Sequence, residues 1–203
     1  AKAALICHPA AIPPAVSGCN VGLTLADSGK LCVDYHVVGQ ISALRLPPPM
    51  GCERADGLWK TTCFEAFAMK ADGSYVEFNF SPSGRWAAYE FSSYRENMAN
   101  APGPAPTLTM SQSEQALEFT ATFDLGSYVA HWPDRFGLCA VIETEMAQNH
   151  SGHWLILKGD PIFITRIALR CRFRHLNHDE FGIDRILEDA GLRAPLVGQR
   201  VAL

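Results

Sequence analysis

The chain has 203 residues, of which 48% are hydrophobic and 19% charged, with a formal net charge of −4, a pI near 6.0 and a mean hydropathy of +0.01. That composition belongs to a chain that folds around a core, not to a disordered one. Its mildly acidic balance supplies no electrostatic footprint for nucleic acid or for an anionic membrane surface. No run of about 18 apolar residues occurs, so no membrane-spanning helix is expected.

The opening stretch AKAALICHPAAIPPAV carries one lysine and is broken by prolines, and its apolar run, Ala3 to Cys7, is too short for the core of a secretory signal. Period-two alternation then dominates. Strands are expected over Val21–Ala26, Lys30–Val38, Thr61–Met69, Ser74–Phe80, Arg85–Phe91, Ala116–Phe123, Leu138–Glu145, His153–Leu157 and Ile162–Phe173. Turn residues divide them, in ADSGK, LPPPMG, KADGS, SPSG, APGPAP, NHSG and KGDP. Asp72-Gly73 between two strand runs is a hairpin signal, because Asp-Gly tolerates the positive φ of a primed turn. Asp124–Trp132 is short enough for one helical turn at most, and Ala101–Pro106 reads as an exposed proline-rich loop. Short strands with turns every roughly 8 to 15 residues indicate an all-β sandwich or barrel over residues 1–176.

The tail changes period. In residues 177–203, Phe181, Ile183, Ile186 and Leu187 fall near one side of a helix, and Gly191 stands where a helix would end. A short C-terminal helix over Ile183–Ala190 is expected there.

Seven cysteines occur, at positions 7, 19, 32, 52, 63, 139 and 171, with no C-x-x-C pair. This spacing signals neither a structural zinc site nor a thioredoxin-like motif. Several sit in apolar strand-like runs, where a free cysteine behaves as a small hydrophobe. Reduced thiols, and on that ground a cytoplasmic setting, are the expectation, with the cell envelope as the alternative.

Alternation divides the hairpin Thr61–Phe80 into two faces. Phe64, Ala66, Ala68, Val76, Phe78 and Phe80 form one set and are expected in the core. Cys63, Glu65, Phe67, Tyr75, Glu77, Asn79 and Ser81 form the other, which is either solvated or a site. Sugars stack their C–H faces on aromatic rings and need paired donors and acceptors for their hydroxyls. Trp59, Glu65, Glu77, Asn79, Arg85 and Trp154 are residues of the types such a ligand requires. The plainer alternative is that polar positions along a strand form a solvated face and that tryptophans are core.

The run DGLWKTTCFEAFA…YVEFNFSPSGRWAAYEFSSYR, strongest over Asp56–Arg95 and with a second match at the GHW of Gly152–Trp154, resembles the DOMON-like superfamily. Within it, the similarity is to the bacterial branch related to family 9 carbohydrate-binding modules. The resemblance spans about Leu5 to Phe173. It implies an antiparallel β-sandwich that holds a terminal sugar between two tryptophans, at Trp59 and Trp154, with Glu65 accepting from hydroxyls. Glu77, Asn79 and Arg85 lie beside the same strands, and Asn149 and His153 near the second tryptophan. The tail FGIDRILEDAGLRAPLVGQRVAL resembles the opening of a bacterial family of exo-acting N-acetylmuramidases. That likeness implies a covalently linked cell-wall hydrolase domain following the sandwich.

Other chemistries are less well signalled. Glu65 and Glu77 on neighbouring strands could form the carboxylate pair of a glycosidase, but binding modules use the same residues without catalysis. No G-x-S-x-G and no glycine-rich phosphate loop occurs. Some DOMON relatives bind haem, and His8, His36, His131, His150, His153, Met69, Met98 and Met146 could serve as axial ligands, although no two are paired by spacing. The i,i+3 pair His175/His178 lacks a visible third metal ligand, and Asp72 or Asp160 could contribute to a structural calcium site. The resulting expectation is a non-catalytic module for carbohydrate, with no nucleic-acid partner, no membrane insertion and no required cofactor. A haem- or other ligand-binding DOMON module, and a docking domain without small ligand, stand as alternatives.

Overall fold

The computed structural model of the chain describes residues 2–5, 15–26 and 28–144, together with the backbone of two short strands, Ile156–Leu157 and Ile164–Thr165. Trp154, Asn149, His153 and the tail 177–203 lie outside the described residues. The strands are β1 (Lys2–Leu5), β2 (Val16–Leu25), β3 (Leu31–Gly39), β4 (Cys63–Met69), β5 (Tyr75–Phe80), β6 (Trp86–Phe91), β7 (Ala99–Asn100), β8 (Thr107–Gln112), β9 (Ala116–Phe123), β10 (Arg135–Val141), β11 (Ile156–Leu157) and β12 (Ile164–Thr165). They form two antiparallel sheets. The first has the order β1-β2-β3-β9-β8, and the second runs β10-β4-β5-β6-β7, with β11 and β12 pairing with successive halves of β10. The protein is an antiparallel β-sandwich, one of the two all-β architectures that the period-two alternation allows and the one that the resemblance implies. No helix among the described residues is long and apolar enough to cross a membrane.

The core forms because the apolar half of each alternating strand turns inward. Leu31, Val33, Tyr35 and Val37 of β3 and Leu117, Phe119, Ala121 and Phe123 of β9 meet Phe64, Ala66 and Ala68 of β4 and Val76, Phe78 and Phe80 of β5, all buried. Phe64 is the hinge of this contact. Its ring centroid lies 4.8 Å from that of Tyr35 and 4.6 Å from that of Phe119, both on the opposing sheet. Phe78 reaches Phe123 at 4.6 Å in the same way.

A buried polar bond also joins the two sheets across this core. The Tyr35 hydroxyl donates to the Glu65 carbonyl at 2.6 Å, and burial holds the phenol well above its usual pKa. A buried carbonyl left without its donor retains its desolvation penalty. Tyr35→Phe is therefore expected to lower unfolding stability by about 1–2 kcal/mol. Chemical denaturation would show this, and an unchanged midpoint would remove the bond from the account.

The β4–β5 hairpin departs in detail from the predicted turn. Gly73 donates to the Lys70 carbonyl at 3.1 Å and alone takes a positive φ, 86°. Asp72 stays at negative φ and uses its carboxylate to accept from the Ser74 N–H at 2.9 Å and from the Ser74 hydroxyl at 2.6 Å. The connection is thus a turn followed by a left-handed glycine, not a two-residue primed turn. The predicted helical turn at Asp124–Trp132 is a 3-10 turn over Leu125–Ser127, begun by the Asp124 side chain accepting from Gly126 N–H.

The second face of β4 and β5 is largely covered, with Phe67 and Glu77 partly exposed. Cys63, Met69, Tyr75, Ala87, Tyr89, Phe91 and Val141 form a further buried cluster on the outer side of the second sheet, joined by Leu58. The segment before β4 creates this layer. Its backbone pairs with the start of β6, Ala55 N–H donating to Trp86 O at 2.9 Å and Trp86 N–H to Glu53 O at 3.1 Å. The 3-10 turn Leu58–Lys60 then lies against β4 and β5. The middle of this sheet is consequently buried on both sides.

Candidate functional site

Cross-strand register arranges the outer face of the second sheet in rows. Cys139, Glu65, Asn79 and Ala87 stand side by side in one row, and Gly137, Phe67, Glu77 and Tyr89 in the next. Glu65 and Glu77 are thus diagonal neighbours. Asn79 is fully buried and Glu65 only 5% exposed, so these polar groups are held by partners rather than by water. Asn79 Nδ2 donates to Glu77 Oε1 at 2.9 Å, and Asn79 Oδ1 accepts from the Cys63 thiol at 3.7 Å. Burial, and then the Glu65 carboxylate, raise the Cys63 pKa well above the thiol range, so the thiol keeps the proton it donates. Arg85 precedes β6 and falls on the same outer face by strand parity. It is partly buried, and its Nε has no hydrogen-bond partner.

Trp59 sits above this layer. Gly57, at φ 73°, supplies the left-handed residue that begins the 3-10 turn, a conformation that a side chain would strain. The turn sends Leu58 into the outer cluster and leaves Trp59 36% exposed. The indole does not rest on a bare strand. It stands edge-on to Tyr89, with centroids 5.6 Å apart and planes at 78°, a favoured arrangement of two rings.

Tyr89 is in turn fixed by groups that sequence reasoning missed. Its hydroxyl donates to Asp56 Oδ1 at 2.7 Å, and the Arg54 guanidinium lies over its ring at 5.2 Å. Arg54 Nη1 donates to the same Asp56 oxygen at 2.9 Å, while Arg54 Nη2 donates to the Ala88 carbonyl at 3.4 Å and to the Asn100 side-chain carbonyl. The Tyr89 and Arg54 donors hold the Asp56 carboxyl below the usual range. Burial, followed by the Asp56 carboxylate, pushes the Tyr89 phenol up to about 12. Arg54, Asp56, Trp59, Tyr89 and Asn100 thus form one connected group drawn from the pre-β4 segment, β6 and β7. The signal for it was partly present: Asp56 and Tyr89 both fall inside the quoted resemblance, and Tyr89 shares the strand parity of Ala87.

Of the sequence-predicted residues, Glu65, Glu77 and Asn79 come together on one face, with Arg85 at its margin and Trp59 on the ledge beside Tyr89. Trp154 lies outside the described residues. Arg95, at the end of the stretch that carries the resemblance, takes φ 59° and lies 5.4 Å over the Tyr94 ring. Its backbone N–H donates to the Tyr75 hydroxyl. Among the haem candidates, Met69 is buried, Met98 is exposed, and His36 pairs with Glu118 at 3.4 Å on the outer face of the first sheet. No group of three or more metal-ligating side chains gathers among the described residues. Cys19, Cys32, Cys52, Cys63 and Cys139 are free thiols. A shallow cleft of about 580 Å³ opens elsewhere, beside the C-terminal end of β3, lined by Ser17, Gln40, Ser42 and Glu114 among others, with no aromatic side chain.

No family model matches the chain, and no curated protein does. Among solved structures, a proposed carbohydrate-binding protein from Bacteroides uniformis aligns over 77% of this chain and 76% of its own, with 14% identity and a TM-score of 0.49. That likeness is too distant to bear on ligand or mechanism.

Proposed function

We propose that the protein is a non-catalytic carbohydrate-binding module that seats a terminal sugar against Trp59. The observation that carries this reading is a partly exposed indole held edge-on by Tyr89, which is itself fixed by Asp56 and Arg54. A flat ring immobilised before the ligand arrives loses little freedom on binding, and that favours stacking on a sugar's C–H face. In this reading Trp154 supplies a second stacking face and Arg85 a donor at the margin. Glu65, Glu77 and Asn79 supply the polar network beneath. A cell-wall sugar is the ligand we favour, with a linked hydrolase domain beyond the tail. This follows the sequence resemblances in family 9 modules and muramidases.

The depth of Glu65 and Asn79 favours a second reading, a docking domain without small ligand, in which the polar network is purely internal. Titration calorimetry with methyl glycosides of glucose, galactose, mannose and N-acetylglucosamine, and with their oligosaccharides, separates the two. The module should release heat with at least one of them. Trp59→Ala should weaken that binding by about tenfold or more while the thermal midpoint stays within a few degrees of the wild type. Absence of heat with every sugar would sink the first reading.

A further inference from the structure

Asp56 is better placed than a structural bridge requires. Both of its anchoring donors, the Tyr89 hydroxyl and Arg54 Nη1, converge on Oδ1 at 2.7 and 2.9 Å. Its Oδ2 has no hydrogen-bond partner among the described residues, and the side chain is 70% exposed. Arg–carboxylate pairs are frequently forked, with both oxygens engaged. Here one oxygen is fixed and the other is presented, ionised and oriented, three residues from Trp59 across the Gly57 turn. Arg54 Nη1 spends one of its two N–H groups on Asp56 and keeps the second. Acceptor and donor therefore stand side by side at Tyr89, the ring that also braces the indole.

We propose that this pair reads a vicinal diol on a neutral sugar: one hydroxyl donates to Asp56 Oδ2, and its neighbour accepts from Arg54 Nη1. The assignment rests on Trp59 being the stacking platform, and it narrows the ligand class. An anionic sugar group at this position would face the Asp56 charge, and a sugar lacking either of the two hydroxyls would leave a charged partner unmatched. Tyr89 acts as a positioning residue, since it braces both the indole and the carboxylate.

The test uses the whole chain and whichever methyl glycoside binds most strongly, together with its series of monodeoxy analogues. Asp56→Asn should weaken binding of the parent glycoside by about ten- to a hundredfold, the range of a hydrogen bond to a charged group. One particular monodeoxy analogue should bind the wild type weakly, and its penalty should shrink markedly in Asp56→Asn, because the amide no longer offers that hydroxyl a charged acceptor. A merely structural Asp56 would weaken all analogues alike and leave every deoxy penalty in place, which overturns the proposal. So does an Asp56→Asn protein that binds as the wild type does while Trp59→Ala has lost binding; that outcome spares the platform and removes only Asp56. If the wild type binds no sugar, platform and diol assignment fall together.

Discussion

Phe64→Ala is expected to remove about 3–5 kcal/mol of unfolding stability, the range for deleting a fully buried aromatic side chain. Phe64 is wholly inaccessible, and its ring lies against Tyr35 on one strand and Phe119 on another, both across the sandwich from β4. Deleting it opens a void between the sheets that the strands cannot close, because each is fixed on both edges by backbone pairing: β4 between β10 and β5, and β9 between β3 and β8. Loss of transfer energy and loss of contacts across the void therefore add. Phe64→Leu, which keeps much of the volume, should cost markedly less. Urea denaturation read by intrinsic fluorescence gives both values, and a loss below about 1 kcal/mol for the alanine variant would show that Phe64 is not the joint between sheets.

Asn79→Asp should be comparably severe, and in a pH-dependent way. Asn79 is fully buried, and its amide donates to Glu77 Oε1 at 2.9 Å. The substitution replaces a donor with a second carboxylate at hydrogen-bond distance from the first. Desolvation and the like charge would both raise the folded-state pKa of the introduced acid above its unfolded value near 4. A raised acid is a liability at neutral pH, where folding must hold it ionised or drive a proton onto it. The liability shrinks as pH falls through the folded pKa toward the unfolded one, because the protonated acid can donate to Glu77 in place of the lost amide. We expect a deficit of about 3–5 kcal/mol at pH 7, as for an uncompensated buried charge, narrowing at pH 5. Paired denaturation curves for variant and wild type at the two pH values measure this. An equal deficit at both would mean that the Asn79–Glu77 bond is not what the substitution breaks.

Particular residues show where the sequence was legible. The strands β3, β4, β5, β6 and β9 follow from alternation because each buries alternate side chains in the main core, as Leu31, Val33, Tyr35 and Val37 do. β8 escaped because its alternation is brief, with Leu108 and Met110 its two apolar residues, and only Leu108 is partly buried. β7 is two residues long and pairs only with the end of β6. The outer face of β4 and β5 was open to two interpretations, solvent or site. Period-two patterning reports which residues share a face but not what lies over it. The covering layer comes from Ala55 and Leu58, in a segment with no strand period of its own. At the candidate site, Trp59 and Glu65 stand out locally, since they lie six positions apart in one motif. Asp56, Tyr89 and Asn100 converge only through strand register, and their grouping becomes apparent once β6 and β7 are aligned.

The burial of β4 and β5 on both faces has a consequence for how tightly any ligand can be held. Backbone amides in strands packed from above and below open only with large parts of the domain, so they belong among the slowest to exchange with solvent. The Trp59 ledge is hydrogen-bonded to the edge of this sheet through Ala55 and Trp86 and braced on it through Tyr89. A ligand seated there would freeze little motion that folding has not already frozen. Its affinity would then follow the few groups it touches, with almost no contribution from a change in the order of the protein.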